Sequence, residues 1–486
     1  MSIEDLRLQF LRGNTTQNNA YTGADGELTV DALTKDLRLH DGATKGGFPL
    51  GGKLHSDITV TVGSGGDFST INDAIEWLCH WKPMYLADLN QAKATIMLKA
   101  GFVMREQVIA EQVDLHWIVI QGEDAETVVD STAIARSYTE KLEGTTWQPL
   151  FGAFNCRGIS VDQLFAIDNT VSGVPRPDGY VAFGPGATGY VGRGAGIKNV
   201  TRNGLYAING GVILAKQGII DSNGIALLAV GGGEIVFDGG QLLSSGAHAY
   251  QASNNGEISA VDSTVGSCGG YLYIAHTGGT IVASNTTVDE TDRVLYVNNG
   301  GTLVALNTTV GKVTLNSGAN VAAVTNPNYV DLERSTINGI PVNTYGSFSV
   351  DDAGFVNVNH CTFNSDSEVM LPGGKLFRLR DGVFMSAENV TATGFDIRYE
   401  MITGVTCHAI SQGGEVRRLA IAGDSTMHAS LQGGTTQIDA GDVDIIVVDK
   451  GLVTMSNIVA PRCNIPLNTV TNKGLIIADE VEEPAA

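Results

Sequence analysis

The stretches Gly-Val-Ile-Leu-Ala (211–215), Gly-Glu-Ile-Val-Phe (233–237), Gly-Glu-Ile-Ser-Ala (256–260), Gly-Thr-Ile-Val-Ala (279–283) and Gly-Thr-Leu-Val-Ala (301–305) align position for position. Their first residues, the marker glycines, recur every 22 or 23 residues. A fixed period of this size indicates stacked supersecondary units. The repeats are rich in β-branched residues and turn residues, which favours strands. The sequence therefore predicts a β-solenoid with one coil per repeat.

Columns of like residues predict which side chains face the core. The second position after each marker is always apolar: Ile213, Ile235, Ile258, Ile281 and Leu303. The fourth position is also apolar, and a separation of two is the period of a strand, so both columns should face inward. Six residues after the marker stand Asp262, Asn285 and Asn307. Because Asn and Asp tolerate turn conformations, this column predicts a short internal ladder at one corner.

The repeats occupy only part of the chain, and its flanks differ in pattern. Residues 1–57 form short apolar alternations between glycine turns, which predicts a small N-terminal β module. Residues 58–395 should form the solenoid, and a helix near 70–80, with Thr70 as its N-cap, should cover the first coil. The regular period breaks after Val310, weaker coils resume around Gly354 and Gly382, and the pattern changes again from about residue 396. We therefore predict a β-rich C-terminal trimerisation region over 396–486.

Composition and charge exclude several classes of partner. The 486-residue chain has a formal net charge of −22, which disfavours nucleic acid and anionic membrane surfaces. No apolar stretch approaches the length of a membrane span, so no membrane insertion is expected. The six cysteines and nine histidines lack the spacing of a metal site, and no phosphate-binding loop precedes a helix. We expect no cofactor and no metal.

The N-terminal segment resembles a known class of module. Arg-Gly (12–13), Gly-Glu-Leu (26–28) and Asp-Gly (41–42) follow a spacing similar to the virion-proximal module of phage tail fibres and tailspikes, over about residues 7–52. The resemblance implies a protein of the virion tail that binds tail or baseplate proteins through residues 1–57. The N-terminus also lacks a signal-peptide pattern, so synthesis in the host cytoplasm is expected.

A second resemblance concerns the solenoid. The segments 94–101 and 117–122 look like the opening coils of pectin-lyase-like right-handed parallel β-helices. The expected fold class is thus all-β, a right-handed parallel β-helix between two smaller β regions. The catalytic Asp-Phe-Ile-Phe-Gly type of motif found in pectin esterases does not occur here, so no esterase residue is assigned. Tailspikes of this class are trimers, which implies a homotrimer, and outward apolar columns would suit an interface.

Two glutamates supply the candidate catalytic groups. Glu234 and Glu257 occupy the same column on adjacent coils, and neighbouring strands lie about 4.8 Å apart. Repulsion between the carboxylates would separate their pKa values, as glycosidases require of an acid and its partner. Asp238 should lie on the same outward face and could widen the pair, so retaining and inverting spacings both stay open. The alternative is that both glutamates point apart into solvent or pair with bases of a neighbouring subunit.

Outward aromatic residues suggest where a sugar would bind. Tyr206 and Tyr296 could stack on sugar rings, and we add His276 to them as candidate substrate-binding residues. The sequence favours a phage tailspike that binds, and cleaves, a bacterial surface polysaccharide. One alternative is a receptor-binding fibre of the same architecture without catalysis. Another is a polysaccharide lyase or esterase unrelated to phage.

Overall fold

The computed structural model describes residues 10–33, 36–85, 90–124, 126–130, 148–162, 165–168, 177–314, 321–341, 348–351 and 355–366, and individual strands beyond them. Strand makes up 52% of the structure and helix 5%, which confirms the all-β class. Parallel strands stack coil upon coil, so the predicted parallel β-helix is also confirmed. The likeness to pectin-lyase proteins stays a prediction.

Three parallel sheets run along the solenoid. Sheet 1 contains the strand that follows each marker glycine, and successive members pair in register. Its strands are Ile58–Val62, Ala94–Leu98, Ile118–Gly122, Arg157–Val161, Thr188–Val191, Val212–Leu214, Glu234–Val236, Glu257–Ser259, Thr280–Val282, Thr302–Val304, Tyr329–Asp331, Phe355–Asn357, Phe384–Ser386, Thr406–Ile410, Thr426–Ser430, Val453–Thr454 and Ile476–Ile477.

Sheets 2 and 3 complete each coil. Sheet 2 contains Val103–Met104, Glu126–Val129, Phe165–Asp168, Gly196–Val200, Ile219–Ser222, Gln241–Ser245, Thr309–Val310, Thr336–Ile340, Thr362–Ser365 and Thr391–Thr393. Sheet 3 contains Val108–Glu111, Gln148–Phe154, Pro177–Phe183, Leu205–Ile208, Leu227–Val230, Tyr250–Ser253, Ala322–Thr325, Phe348–Asp351, Lys375–Arg380, Asp396–Met401, Arg418–Ile421 and Ile446–Val447. Two long strands, Thr264–His276 and Thr287–Asn298, belong to both sheets because they run from one into the other without a break.

The marker glycines are required by a close backbone approach. A Cβ placed on Gly233 would lie 2.3 Å from the carbonyl oxygen of Ala207 in the preceding coil, and Gly256 meets Ala229 O at 2.2 Å in the same way. The left-handed conformation falls instead on the residue before the marker, such as Gly232 with φ 73°. Each corner therefore needs a residue that tolerates positive φ, followed by a glycine that admits the neighbouring coil.

The corner ladder exists, but it lies on the outside. Asn285 Nδ2 donates to Asp262 Oδ1 at 2.9 Å, and Asn307 Nδ2 donates to Asn285 Oδ1 at 3.2 Å. All three side chains are exposed, so the prediction of an internal ladder was wrong in that respect. The buried polar residues are those one position later, including Ser263 and Thr286. The left-handed backbone at the corner points the Asn side chain to solvent and the next residue inward.

The core follows the predicted apolar columns. Ile235, Ile258 and Ile281 are fully buried and aligned by the pairing of sheet 1. On sheet 3, the inward rings of Tyr250 and Tyr273 lie 5.8 Å apart, and Tyr250 Oη is 3.0 Å from Ser263 Oγ. At the usual gain of about 25 cal/mol per Å² of buried apolar surface, this continuous column is the main stabilising feature of the coils.

The predicted cap helix is confirmed. It spans Ile71–Leu78, and Thr70 Oγ1 accepts the amide hydrogen of Asp73 at 3.0 Å. The buried face of the helix consists of Ile71, Ala74, Ile75 and Leu78. Glu106 accepts the first two helix amides, from Ile71 at 2.7 Å and Asn72 at 3.0 Å, which satisfies N–H groups that a helix start leaves unpaired.

The N-terminal module is a four-stranded sheet joined to this cap. Its strands are Leu11–Gly13, Leu28–Asp31, Leu37–Leu39 and Phe48–Leu50, with a short helix over Thr15–Ala20. The next strand, Gly52–Leu54, pairs in parallel with Trp81–Pro83, immediately after the cap helix. The guanidinium of Arg38 lies 5.4 Å from the ring centroid of Trp81. The module is therefore packed directly against the end of the solenoid.

The remaining boundaries are described in part. Strands after residue 395 continue the same parallel pairing, for example Phe384–Ser386 with Thr406–Ile410. A trimerisation role for 396–486 stays a prediction. The sequence also predicts two longer surface loops, Arg136–Gln148 and Asp168–Asp178, and most of their residues lie outside the described ranges.

Candidate functional site

The two candidate glutamates are direct neighbours on the outer face of sheet 1. Glu234 and Glu257 are register partners on adjacent parallel strands, as their common column predicts. Glu234 is half-buried and Glu257 is exposed. The column continues as Val212 on one side and Thr280 on the other, so the pair lies between neutral neighbours. Two carboxylates one strand apart can together accept hydrogen bonds from a hydroxyl-rich ligand.

Asp238 lies at a corner, two residues beyond the strand that carries Glu234. Its Oδ1 accepts hydrogen bonds from Ser259 Oγ at 2.6 Å and from the amide of Val261 at 3.1 Å. Its Oδ2 lies 3.9 Å from Lys216 Nζ. Because Asp238 binds the backbone of the next coil, a structural role at the corner accounts for it. Its catalytic role stays a prediction.

The first half of the outer face of sheet 3 is closed and apolar. Outward side chains here pack into a satellite cluster of Phe154, Val181, Tyr206, Ile208 and Leu228. Tyr206 is only 7% exposed, so the expectation that it presents an open stacking surface was wrong. Burial, with Asp178 nearby, raises the pKa of Tyr206 to about 12. The outward direction was right, but neighbouring outward side chains cover the ring.

The second half of this face carries half-exposed aromatic and polar residues. The rings of Tyr271 and Tyr296 lie 5.7 Å apart, and His248 lies 5.8 Å from Tyr271, so the three form a row across successive coils. Arg293 is the register partner of Tyr271, and its guanidinium lies 5.1 Å from that ring centroid. Both separations fall in the range of favourable ring–ring and cation–π contacts. We call these residues, with His276 and Asn298, the aromatic patch.

Hydrogen bonds fix the orientation of the rings in the patch. Arg293 Nη1 donates to Tyr271 Oη at 3.1 Å, and Asn298 Nδ2 donates to Tyr296 Oη at 2.5 Å. The amide of Tyr271 donates to His248 Nδ1 at 3.1 Å, which assigns the proton of the neutral imidazole to Nε2. Burial lowers the pKa of His248, with Arg293 adding to the effect. His248 is therefore a neutral group at physiological pH.

Two of the predicted substrate-binding residues, Tyr296 and His276, lie on neighbouring strands of the patch. His276 and Asn298 are register partners, and Tyr296 precedes Asn298 by two positions on the same strand. His276 Nδ1 lies 3.2 Å from Thr277 Oγ1, and burial lowers the pKa of its imidazole. Sequence reasoning missed Tyr271 and Arg293. The signal available was a polar and aromatic column eight residues before the marker glycines, His248, Tyr271 and Arg293.

The N-terminal sheet is polar inside and apolar outside. Its buried side chains are polar or charged: Asn18, Thr29, Asp31, Asp36, Arg38 and His40. Four of the six large apolar side chains that are exposed in the described part of the chain belong to this module: Leu11, Leu33, Leu39 and Leu50. Exposed large apolar side chains concentrated on one small module make it a candidate contact surface.

Two other kinds of site are not found in the described part of the chain. Those residues contain no group of three or more His, Cys, Asp or Glu side chains placed to hold a metal ion. Within the same ranges, no helix is long and apolar enough to span a membrane.

Fold and surfaces together define a parallel β-solenoid that carries a small apolar-faced module at one end. No known protein family matches the chain. A 43-residue segment is 51% identical to the Tail fiber receptor-binding protein of Bordetella phage BPP-1. This segment covers 9% of the present chain and 11% of that protein. The similarity is therefore high but local, and it spans about a tenth of either protein.

Proposed function

We propose that this chain is a phage tail protein that binds a receptor on the bacterial surface, and that the receptor is a polysaccharide. The observation that carries the proposal is the local similarity to a phage tail fibre receptor-binding protein, in a chain whose body is a β-solenoid. A solenoid offers a long, rigid outer surface, which suits recognition of an extended polymer. The chain would be located in the virion tail.

The N-terminal module is the proposed site of attachment. The shared segment of 43 residues is close in length to the region 7–52 that resembles phage tail modules. The exposed leucines of this module supply an apolar surface for tail or baseplate proteins and for other copies of the chain. We propose a homotrimer, because the tailspikes that the chain resembles are trimers and identical subunits close about a symmetry axis.

A second candidate function is depolymerisation of the bound polysaccharide. The register pairing of Glu234 with Glu257 favours it, because paired carboxylates can supply an acid and a base or nucleophile. Asp238 would act as an accessory group. In this view Tyr296 and His276 bind the substrate. Binding without cleavage needs none of the carboxylates, so the two functions can be separated by mutation.

The receptor-binding proposal is tested with the purified full chain on a panel of bacterial strains, measured by pull-down and flow cytometry. We expect saturable binding to some strains, lost when the surface polysaccharide is removed genetically.

Light scattering should give a trimer, and a monomer near 51 kDa at micromolar concentration would contradict the assembly. Deletion of residues 1–57 should leave cell binding intact and abolish incorporation into virions.

The depolymerase proposal is tested by the viscosity and size of polysaccharide from a bound strain. Glu234→Gln and Glu257→Gln should each lower cleavage by about 10²–10⁴, the usual contribution of general acid–base groups. Glu76→Gln, at an exposed position of the cap helix, is the matched control and should leave the rate unchanged. Binding without any cleavage by the wild-type chain would make this a receptor-binding protein alone.

A further inference from the structure

We propose that the aromatic patch binds a saccharide unit that carries a carboxylate. This inference rests on the proposed function, because it names the place and the chemistry of receptor binding. It concerns the outer face of sheet 3, away from the carboxylate pair on sheet 1. The residues that carry it are Tyr271, Arg293, Tyr296, His276 and Asn298.

The first observation is the shape of the surface. Elsewhere each coil breaks between sheets 2 and 3, as between Gln241–Ser245 and Tyr250–Ser253. At the patch, the strands Thr264–His276 and Thr287–Asn298 are continuous and pair with each other along most of their length. They provide an extended, backbone-anchored platform on which outward side chains are held at fixed positions. Such a platform is suited to a rigid sugar chain.

The second observation is the solvent exposure of the two tyrosine rings. Tyr271 and Tyr296 are half-exposed, whereas Tyr206 and Leu228, which precede Tyr296 in its outward column, are closed by packing. The ring planes of Tyr271 and Tyr296 are inclined by 48° to each other. Aromatic faces of this kind pack well against the C–H faces of sugars, because both surfaces are apolar and flat.

The third observation is the hydrogen-bonding capacity of the patch, which is dominated by donors. Tyr271 Oη and Tyr296 Oη each accept a bond from a neighbouring side chain, so their own hydroxyl hydrogens can be donated to a ligand. Arg293 Nε is buried, makes no hydrogen bond within the described residues and lies 3.6 Å from Asp292 Oδ2, so the Nη groups are the donors of this guanidinium that a ligand would meet. A surface rich in donors requires a ligand rich in acceptors.

The charge of Arg293 selects among such ligands. A guanidinium binds a carboxylate through two parallel hydrogen bonds, which neutral hydroxyl groups reproduce poorly. The chain as a whole is negative, and that opposes a polyanion at long range. At physiological ionic strength this repulsion is screened beyond about 8 Å, so the local contact with Arg293 decides the outcome. Stacking on the two tyrosines would supply the rest of the affinity.

The test uses the full chain and a panel of purified bacterial surface polysaccharides, acidic and neutral, measured by biolayer interferometry. We expect binding to at least one acidic polysaccharide, and loss of that binding when its carboxylates are chemically reduced to alcohols. Binding should weaken about tenfold or more in Arg293→Gln and in Tyr296→Ala. Tyr296→Phe keeps the ring and should lose less affinity than Tyr296→Ala.

Controls separate this inference from the broader proposal. Arg334→Gln removes an exposed arginine from a later coil and should leave affinity unchanged. Arg293→Lys keeps the charge without the planar guanidinium, so its affinity should lie between those of the wild type and Arg293→Gln. The melting temperature is measured for every variant. Unchanged cell binding by Arg293→Gln and Tyr296→Ala, or equal binding to the reduced polysaccharide, overturns the patch but not receptor binding. Failure of the wild-type chain to bind any cell or polysaccharide overturns both.

Discussion

The N-terminal sheet and the solenoid coils reverse each other's pattern of burial. In a coil, residues such as Ile258 face inward and the outward positions are mixed. In the N-terminal sheet, Arg38 and Asp31 are buried while Leu39 and Leu50 are exposed. Most strands of both regions are short, so strand geometry does not cause the difference. Coils bury apolar surface against themselves, whereas the small sheet leaves several leucine side chains exposed.

The polar interior of the module is held by specific contacts. Arg38 Nη1 donates to the carbonyl of Gly46 at 2.9 Å, and Arg38 Nη2 lies 3.8 Å from Asp31 Oδ2. His40 Nδ1 accepts the amide of Gly23, and its Nε2 lies 3.0 Å from Thr29 Oγ1. Burial lowers the pKa of Arg38, and the neighbouring aspartates oppose that shift. Such a network gives a defined structure but depends on every partner.

The largest effect is therefore expected from Arg38→Met. The change removes the buried cation that faces Asp31 and Asp36, which should destabilise the module by about 3–5 kcal/mol. Hydrogen exchange of residues 10–54 measures this locally. Arg12→Met, at an exposed position of the same sheet, is the control and should change little. Equal protection in both variants would mean that the buried pair does not hold the module together.

A matched pair of apolar truncations tests the reversed pattern directly. Ile258→Ala opens a cavity in the coil and should cost about 2–5 kcal/mol of unfolding free energy in a denaturant titration. Leu50→Ala removes an exposed side chain, so stability should change by no more than about 0.5 kcal/mol. Leu50→Ala should instead weaken association with tail proteins or other copies. A large loss of stability from Leu50→Ala would show that the isolated chain already covers this face.

A fully buried carboxylate of the solenoid, Asp178, should make stability depend on pH. This carboxylate is fully buried, accepts from Asn203 Nδ2 at 2.8 Å and lies 3.9 Å from Arg202 Nη1. Burial raises its pKa from 3.8 to about 6, and Arg202 opposes the shift. Between pH 4 and 6 the folded state therefore keeps a proton that the unfolded state has lost.

Stability should fall as the pH rises through this window, by at most about 1.4 kcal/mol per unit, and level off above pH 6. Asp178→Asn removes the titrating group, so the difference in melting temperature between wild type and variant should follow the same curve. A difference that does not change between pH 4 and 7 would rule out the raised pKa. Asp221→Asn, at a half-buried outward position, serves as the control.

The smallest effect is expected at the exposed corner ladder. Asn285→Ala removes hydrogen bonds to Asp262 and Asn307 and places alanine at φ 58°, for a combined cost of about 1–2 kcal/mol. Asn285→Gly loses the same bonds without the backbone strain and should cost less. Thermal unfolding of both variants separates the two contributions. Identical losses would show that the side-chain ladder alone matters.

The sequence by itself determined the repeat, the inward columns and the cap helix. Ile235 and Ile258 stack as the period requires, and the helix expected near 70–80 spans Ile71–Leu78 after the predicted N-cap Thr70. Glu234 and Glu257 also lie side by side, because a constant coil length puts equal positions in one column. These features depend on local propensity and on a repeat period that is visible in the sequence.

Only the tertiary structure decided which outward residues are open and how the patch is formed. Counting by twos from the inward Tyr273 would place Tyr271 inward as well. Leu272 and Tyr273 are both fully buried, however, so strict alternation does not hold here, and Tyr271 is half-exposed with its ring beside Arg293. Tyr206 points outward as expected but is covered by its neighbours. Strand period fixes direction within a regular ladder, whereas irregular pairing and contacts between coils set the exposure of each side chain.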